Sequence, residues 1–287
     1  MNTSRGGRPG PGVCPSTVAQ GTPSFVEGWT RRVSRARPAL LVLAVCLVST
    51  QVFAQRGDAP TPRAAAPIDL TGYWVSLVTD DWRWRMVTPP KGDVLYLPVN
   101  DAGRKVADAW DPAKDEAAGE ACRAYGAGGI MHLPGRLHIT WESDTALKLE
   151  TDTGQQTRLF EFGGAKPAGD ATWQGSSVAA WELPAGGRGR GRGAAGGANP
   201  SRPGTSLRVE TTNMRPGYYR RNGVPYGAKA HMTEWLTTVS EPDGNTYLLV
   251  TKILEDPQYM NGPYVRTVQF KKQPDATGWN PTPCSAR

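Results

Sequence analysis

The feature that most constrains the fold is a long succession of short segments, from about residue 130 to the C-terminus, in which apolar and polar residues alternate. In residues 136–142, for example, Leu137, Ile139 and Trp141 fall on one face of an extended chain and polar residues fall on the other. Turn-forming residues, such as Asp243 with Gly244, separate the segments. The predicted strands span residues 69–78, 136–142, 146–151, 157–162, 172–174, 177–183, 205–212, 231–240, 245–254 and 263–271.

This pattern has no alternation of strands with helices, so it predicts an all-β fold, either a barrel or a sandwich. The hairpin order of the strands favours an antiparallel up-and-down barrel. One short helix precedes most of the strands. Asn100 can cap this helix, Val106 and Trp110 lie on its apolar side, and it ends before Pro112. We predict that residues 113–129 form a loop.

Composition divides the chain into three parts. Residues 1–54 form a leader, residues 55–68 form a flexible lead-in rich in Ala, Pro and Arg, and residues 69–287 form a single barrel domain. Within that domain, residues 185–204 are rich in Gly, Arg and Pro, which is typical of a flexible loop of low complexity.

The leader has the features of a signal peptide. Residues 39–54 are a short apolar stretch that follows a basic segment, and Ala54 ends it at a site suited to cleavage before Gln55. The alternative is an anchor helix, for which the stretch is short because spanning needs about 20 residues. Arg31 and Arg32 partly resemble a twin-arginine signal, but the general export route fits better. We predict a periplasmic or secreted protein with no membrane span after cleavage.

The positive charge of the chain lies mostly in the leader. Six of its 33 Lys and Arg and one of its 26 Asp and Glu fall in residues 1–54, so cleavage reduces the net charge from +7 to +2. Arg188, Arg190 and Arg192 of the low-complexity loop account for part of the remainder. We therefore predict no nucleic-acid partner.

Two cysteines remain after cleavage, Cys122 and Cys284. In an oxidising compartment, two cysteines are best explained by one disulfide. The alternative is a reactive thiol, but neither residue belongs to a C-x-x-C motif.

The first strand contains Gly72 and Trp74, and this G-x-W pattern resembles the signature of lipocalins and related calycin barrels. The resemblance implies a barrel in which an arginine of the last strand, here Arg266, lies over the indole of Trp74. Such a contact contributes about 0.5–2 kcal/mol and would close that end of the barrel.

A second resemblance covers residues 69–284 and relates the chain to a family of exported bacterial proteins, many from soil organisms. The matching segments are residues 70–74, 110–122, 173–177, 181–182, 207–213, 233–234 and 255–259. The chain differs from that pattern by the Arg- and Gly-rich insertion between Glu182 and Leu207. This resemblance implies the fold and export, and it implies no particular chemistry.

Acid–base chemistry is conceivable only if the polar face of the strands lines the barrel interior. A histidine beside a carboxylate could then transfer protons. The alternative is that this face is merely solvated on the outside. The candidate catalytic residues are His138, Glu142, Glu210, His231 and Glu234. With His132 these include all three histidines, whose spacing matches no metal motif, so we predict neither a metal nor another cofactor.

Aromatic residues near loops and strand ends favour a binding role. Trp82, Trp84 and Tyr219, with Arg136, are the candidate ligand-binding residues, because aromatic rings at a barrel mouth form an apolar pocket with polar edges. The long segment 214–223 could cover such a pocket as a lid. The alternative is that these rings are ordinary packing residues.

The sequence therefore predicts an exported barrel protein that binds a small apolar or aromatic molecule. A second hypothesis is an enzyme of the lyase, isomerase or cyclase type that acts in the same cavity with His138 or Glu234 as base. A third is an envelope interaction module whose loops bind a protein or a glycan.

Overall fold

The structure is a computed structural model, and it describes residues 59–164, 169–183 and 205–287. The predicted leader and the low-complexity loop lie outside these ranges. The described strands are β1 (Gly72–Leu77), β2 (Arg136–Trp141), β3 (Ala146–Thr151), β4 (Thr157–Phe162), β5 (Ser176–Glu182), β6 (Ser206–Thr212), β7 (Gly217–Arg220), β8 (Val224–Tyr226), β9 (His231–Ser240), β10 (Thr246–Glu255) and β11 (Tyr264–Gln273). The described helices are α1 (Trp82–Arg85), α2 (Asp101–Ala109), α3 (Pro112–Ala117) and α4 (Ala127–Ile130), with a 3₁₀ turn at Ala121–Ala124.

Nine strands close into a barrel in the order β1-β11-β10-β9-β6-β5-β4-β3-β2, which confirms the prediction of an all-β barrel. Neighbouring strands are antiparallel with one exception. The strands β4 and β5 run parallel, with Phe160 opposite Ser177 and Phe162 opposite Ala179. Both strands therefore begin at the same end of the barrel.

The chain leaves the barrel between β6 and β9, which pair directly with each other. The segment between them forms the hairpin β7–β8, outside the barrel sheet. Sequence analysis predicted a lid-like loop here. The residues of both strands are buried, because other parts of the chain pack on both faces of this hairpin. With both faces covered, the hairpin has no apolar and polar alternation that would mark it as a strand.

The apolar face of the barrel strands points inward. The side chains of Trp74, Ile139, Leu149 and Phe160 are fully buried and belong to one continuous core cluster. Each such side chain contributes about 1.5–3 kcal/mol when it is removed from water. The interior at this level is therefore filled by the protein's own side chains, and the polar face of the strands lies outside.

The predicted helix is present as α2. The side chain of Asn100 accepts a hydrogen bond from the backbone N–H of Gly103 at 2.9 Å and so caps the helix. The prediction that residues 113–129 form a loop is wrong, because α3, the 3₁₀ turn and α4 lie there. Asp111 caps α3 and Pro112 occupies its first turn, so this pair ends one helix and begins the next.

The disulfide between Cys122 and Cys284 is present, with the two Cα atoms 5.1 Å apart. It joins the 3₁₀ turn to the C-terminal segment across 162 residues of sequence. In the chain-entropy model, closing a loop of this length stabilises the fold by about 5 kcal/mol.

The lead-in and the first strand are both tied to the barrel. The indole N–H of Trp181 donates to the carbonyl of Pro62 at 2.9 Å, so part of the predicted flexible lead-in packs on the barrel. The indole N–H of Trp74 donates to the carbonyl of Leu70 at 3.0 Å. In the described part of the chain, no helix is both long and apolar enough to cross a bilayer.

The cation over the Trp74 ring is Lys272, whose Nζ lies 5.3 Å from the ring centre, and not Arg266 as expected. The register explains this correction. Trp74 lies opposite Lys272, whereas Arg266 lies opposite Lys252, beyond the end of β1. The guanidinium of Arg266 instead lies 5.3 Å from the centre of the Tyr264 ring.

Candidate functional site

The two ends of the barrel differ in chemistry. At one end, which we call the aromatic end, Trp141, Phe162 and Trp181 pack together. At the other end, where β1 finishes and β2 begins, α1, α4 and the hairpin β7–β8 contribute the nearby residues. We call this the helical end. The charged and polar side chains that point inward are concentrated there.

An ion pair between Arg158 and Glu234 lies innermost at the helical end. The Nη2 atom of Arg158 is 2.5 Å from Oε2 of Glu234, and Nη1 is 3.2 Å from Oε1. Both side chains are almost completely buried. Thr211 accepts a further hydrogen bond from Arg158 at 3.2 Å. Two parallel hydrogen bonds fix both the position and the orientation of the carboxylate.

Lys252 is the cross-strand neighbour of Glu234 and is fully buried. Its Nζ donates to the carbonyl of Gly128 in α4 at 2.7 Å and lies 4.7 Å from the centre of the Tyr219 ring. Burial lowers the pKa of Lys252 to about 7, although the charge of Glu234 acts in the opposite direction. The lysine therefore links the barrel interior to the elements that cover it.

His132 and Tyr219 lie above Lys252. The Tyr219 hydroxyl and Nε2 of His132 share a hydrogen bond of 2.6 Å, and the Tyr219 ring packs edge-on against Tyr264 at 4.7 Å. Burial lowers the pKa of His132 well below its usual value, and the nearby cations lower it further. These cations are Lys252, Arg85, Arg220 and Arg266. His132 is consequently neutral at pH 7. Burial also raises the pKa of Tyr219 well above its usual value.

A small cavity, which we call the deep cavity, opens beside this pair. Its volume of about 20 Å³ has room for about one water-sized group. Its walls are Asp81, Trp84, Arg85, His132, Leu133, Tyr219, Arg220, Arg221 and Tyr264. These residues come from α1, the segment before β2, the hairpin β7–β8 and β11, so only the folded chain brings them together.

Two buried arginines of the deep cavity have an unused donor. Arg85, which is 4% exposed, donates from Nε to the carbonyl of His132 at 2.9 Å and from Nη1 to that of Leu77 at 2.8 Å. Arg220, which is 7% exposed, donates from Nη2 to the carbonyl of Leu95 at 3.1 Å. Among the described residues, Nη2 of Arg85 and Nη1 of Arg220 have no hydrogen-bond partner.

A wider surface groove, which we call the mouth groove, lies next to the deep cavity. Its volume is about 740 Å³. Its walls are Asp81, Trp84, Tyr96, Leu97, Pro98, Pro263, Tyr264, Val265 and Arg266. Asp81, Trp84 and Tyr264 line both spaces, so the groove and the cavity are adjacent.

Two of the four predicted ligand-binding residues line this site. Trp84 and Tyr219 contribute to the deep cavity, and the Trp84 ring lies 4.9 Å below the guanidinium of Arg220. Trp82 is exposed on α1 and lines neither space. Arg136 begins β2 and its side chain packs close to Gly278 of the C-terminal segment, away from the site.

The structure does not bring the predicted catalytic residues together. His138 points outward, where its ring stacks on Tyr73 at 4.1 Å and its Nδ1 lies 3.3 Å from Glu150. On the outer surface, Glu142 pairs with Lys148 at 3.3 Å.

The remaining carboxylates and the third histidine are also separated. Glu210 pairs with Arg208 on the outside of β6, and His231 lies 3.6 Å from Glu255 at the end of β9. Glu234 alone of the predicted set lies inside, where Arg158 holds it. The reason is the two-residue period of a strand, which places the polar face outside once the apolar face is buried.

Across the described ranges, no three His, Cys, Asp or Glu side chains are grouped closely enough to hold a metal ion.

Sequence analysis missed Arg85, Arg158, Arg220 and Lys252 as parts of the site. A signal existed for two of them. Arg158 shares its face of β4 with Phe160, and Lys252 shares its face of β10 with Val250 and Leu254, so each is a cation on an apolar face. Arg85 and Arg220 lie in segments without such a pattern.

Comparisons with known proteins identify no relative: no family model matches this chain, and no curated protein and no solved structure is significantly similar to it.

Proposed function

We propose that the protein is an exported binding protein for a small aromatic molecule, which it holds in the mouth groove and not in the middle of the barrel. The observation that carries this proposal is the pair of adjacent spaces at the helical end, the mouth groove and the deep cavity. Its outer part is lined mainly by aromatic and aliphatic side chains, and its inner part contains unused hydrogen-bond donors.

The location follows from how the barrel is filled. The inward side chains of the strands pack into one core, so a guest in the middle of the barrel would have to displace them. Dense interiors of this kind resist such displacement. The mouth groove needs no rearrangement of the core to accept a flat ring.

Exposed apolar residues around the groove support the same location. Tyr96 is 68% exposed and Val265 is 52% exposed, and both line the groove. Met86, Val87 and Leu95 are exposed in the same stretch of chain. Contiguous apolar surface on a soluble domain is typical of a binding site. A bicyclic ring that lost about 200 Å² of apolar surface here would gain about 5 kcal/mol, before the cost of its lost freedom.

A fluorescence titration with N-phenyl-1-naphthylamine tests the proposal. This neutral dye brightens when it enters an apolar site, and we expect saturable binding of one dye molecule per chain. The Val265→Glu variant places a charge in the groove and should weaken dye binding at least tenfold. Val239→Glu is the matched control, because Val239 is also an exposed strand valine, 39% exposed, but lies near the opposite end of the barrel.

Equal binding by both variants would overturn the assignment of the groove, and absence of saturable binding to the unaltered protein would overturn the proposed function. Native mass spectrometry of protein purified from the periplasm adds a second test. A retained mass that 2-naphthoate displaces would support the proposal, and a retained metal ion or glycan would contradict it.

A further inference from the structure

We infer that the deep cavity is a carboxylate subsite, so that the ligand class is an aromatic carboxylic acid with its ring in the mouth groove and one carboxylate oxygen between Arg85 and Arg220. This inference rests on the proposed function and specifies its ligand chemistry.

The unused donors give the first argument. Two of the three nitrogens of Arg85 are held by backbone carbonyls, and Arg220 is held by one carbonyl and by the Trp84 ring. The remaining Nη atom of each guanidinium is buried and has no partner among the described residues, and both side chains line the deep cavity. Buried donors are nearly always satisfied in native proteins, so each of these guanidinium groups can donate one further hydrogen bond to a bound acceptor.

The distribution of charge gives the second argument. Two other cations near the cavity have carboxylate partners, since Arg266 lies 3.2 Å from Asp81 and Arg158 pairs with Glu234. Lys252 donates to the carbonyl of Gly128 instead. Among the described residues, no carboxylate lies within ion-pair distance of Arg85 or Arg220. Asp81 is the one carboxylate in the lining of the cavity, and its Oδ2 is engaged by Arg266. Asp81 and Asp80 act on Arg85 only at longer range, so Arg85 and Arg220 can each pair directly with an anion.

The size of the cavity selects among anions. A volume of about 20 Å³ accepts about one oxygen atom, which suits the edge of a planar carboxylate. A phosphate or sulfonate presents three oxygens around a tetrahedral centre, so most of its charge would stay outside a cavity of this size. Because Trp84 and Tyr264 line both the cavity and the groove, the ring attached to the carboxylate would lie against their side chains.

A matched pair of ligands tests this inference on the unaltered protein. 2-Naphthoate and 2-naphthamide have the same ring and nearly the same shape, but only the first carries a charge at neutral pH. We expect 2-naphthoate to displace N-phenyl-1-naphthylamine at a concentration at least tenfold lower than 2-naphthamide does. Equal potency would mean that the cavity holds only a water molecule, and it would overturn the inference while leaving the groove intact.

Isothermal titration with each compound distinguishes failure of the proposed groove from failure of the proposed carboxylate subsite. Binding of 2-naphthoate without any binding of the dye would contradict the apolar groove but keep the carboxylate subsite. Absence of both would overturn both proposals.

Variants of the two arginines test whether their charge selects the carboxylate. Arg220→Met should abolish the preference for 2-naphthoate over 2-naphthamide but keep dye binding, and Arg220→Lys should retain part of the preference. Arg215→Met is the matched control, since Arg215 also lies over a tryptophan ring, that of Trp173 at 4.2 Å, but pairs with Glu120. A preference that survives Arg220→Met and Arg85→Met in correctly folded protein would overturn the inference.

Discussion

Arg158 of β4 and Glu234 of β9 form a two-point ion pair inside the barrel, with both side chains almost completely buried. The pair lies between the apolar core and the residues of the candidate site. The polar interior of the barrel is at its helical end because of this pair. The carboxylate of Glu234 is the negative charge that acts on the buried amine of Lys252.

Removal of one partner of this pair is expected to destabilise the fold strongly. Glu234→Gln leaves the guanidinium of Arg158 buried without a counter-charge, and we expect the free energy of unfolding to fall by about 3–5 kcal/mol. Urea denaturation measures this change. Glu210→Gln is the control, because Glu210 pairs with Arg208 on the partly exposed outside of β6. We expect that variant to lose less than about 1 kcal/mol. Similar losses for the two variants would contradict the buried pair.

Lys252 is expected to make stability rise with pH. Its pKa is about 7 in the folded protein and near 10.5 in the unfolded chain, so between these values the unfolded chain binds more protons. The free energy of unfolding then increases with pH, by up to about 1.4 kcal/mol per pH unit from this one group. The measurement is urea denaturation at pH 7, 8 and 9 for the unaltered protein and for Lys252→Met. The difference between the two proteins should change with pH in this direction. A constant difference would contradict a lysine that is neutral in the folded state.

Loss of the disulfide is expected to cost about 5 kcal/mol, because it frees a loop that spans most of the described chain. The double variant Cys122→Ser with Cys284→Ser should unfold at a lower urea concentration than the oxidised protein. Dithiothreitol should lower the midpoint of the unaltered protein toward that of the double variant and leave the variant unchanged. If dithiothreitol had no effect on the unaltered protein under conditions that reduce the bond, the expected contribution would be wrong.

Export stays a prediction of the sequence, and the mature N-terminus tests it. When the full chain is expressed in a bacterium with a periplasm, we expect to find the protein in the periplasmic fraction. Its intact mass should equal that of a chain that starts at Gln55. A leader that acted as an anchor would instead leave the uncleaved chain in the membrane fraction.

The strands could be predicted from the sequence because a half-buried strand has a strict two-residue period. In β2, Leu137 and Ile139 alternate with Arg136 and His138, and this pattern determines both the strand and the face that is buried. The period alone does not show which face of the strand points into the barrel. Burial of the apolar face stabilises the fold, so the polar face lies outside. The candidate acid–base residues would have needed the polar face to line the interior.

The candidate site could be predicted only in part. Trp84 and Tyr219 stood out as aromatic residues near loops, and they do line the deep cavity. Arg85, His132 and Arg220 come from three separate segments, and no local pattern relates them. The hairpin β7–β8 was missed for a similar reason, since it is buried by distant parts of the chain and not by its own alternation. The resemblance to lipocalin-like barrels stays a prediction.

The most direct test of the binding site is a crystal structure of the protein grown with 2-naphthoate. We expect the naphthyl ring in the mouth groove against Trp84 and Tyr264, with a carboxylate oxygen within 3.2 Å of Nη2 of Arg85 and Nη1 of Arg220. A ring bound among the core side chains in the middle of the barrel, or a groove that stays empty while calorimetry shows binding, would contradict the proposed site.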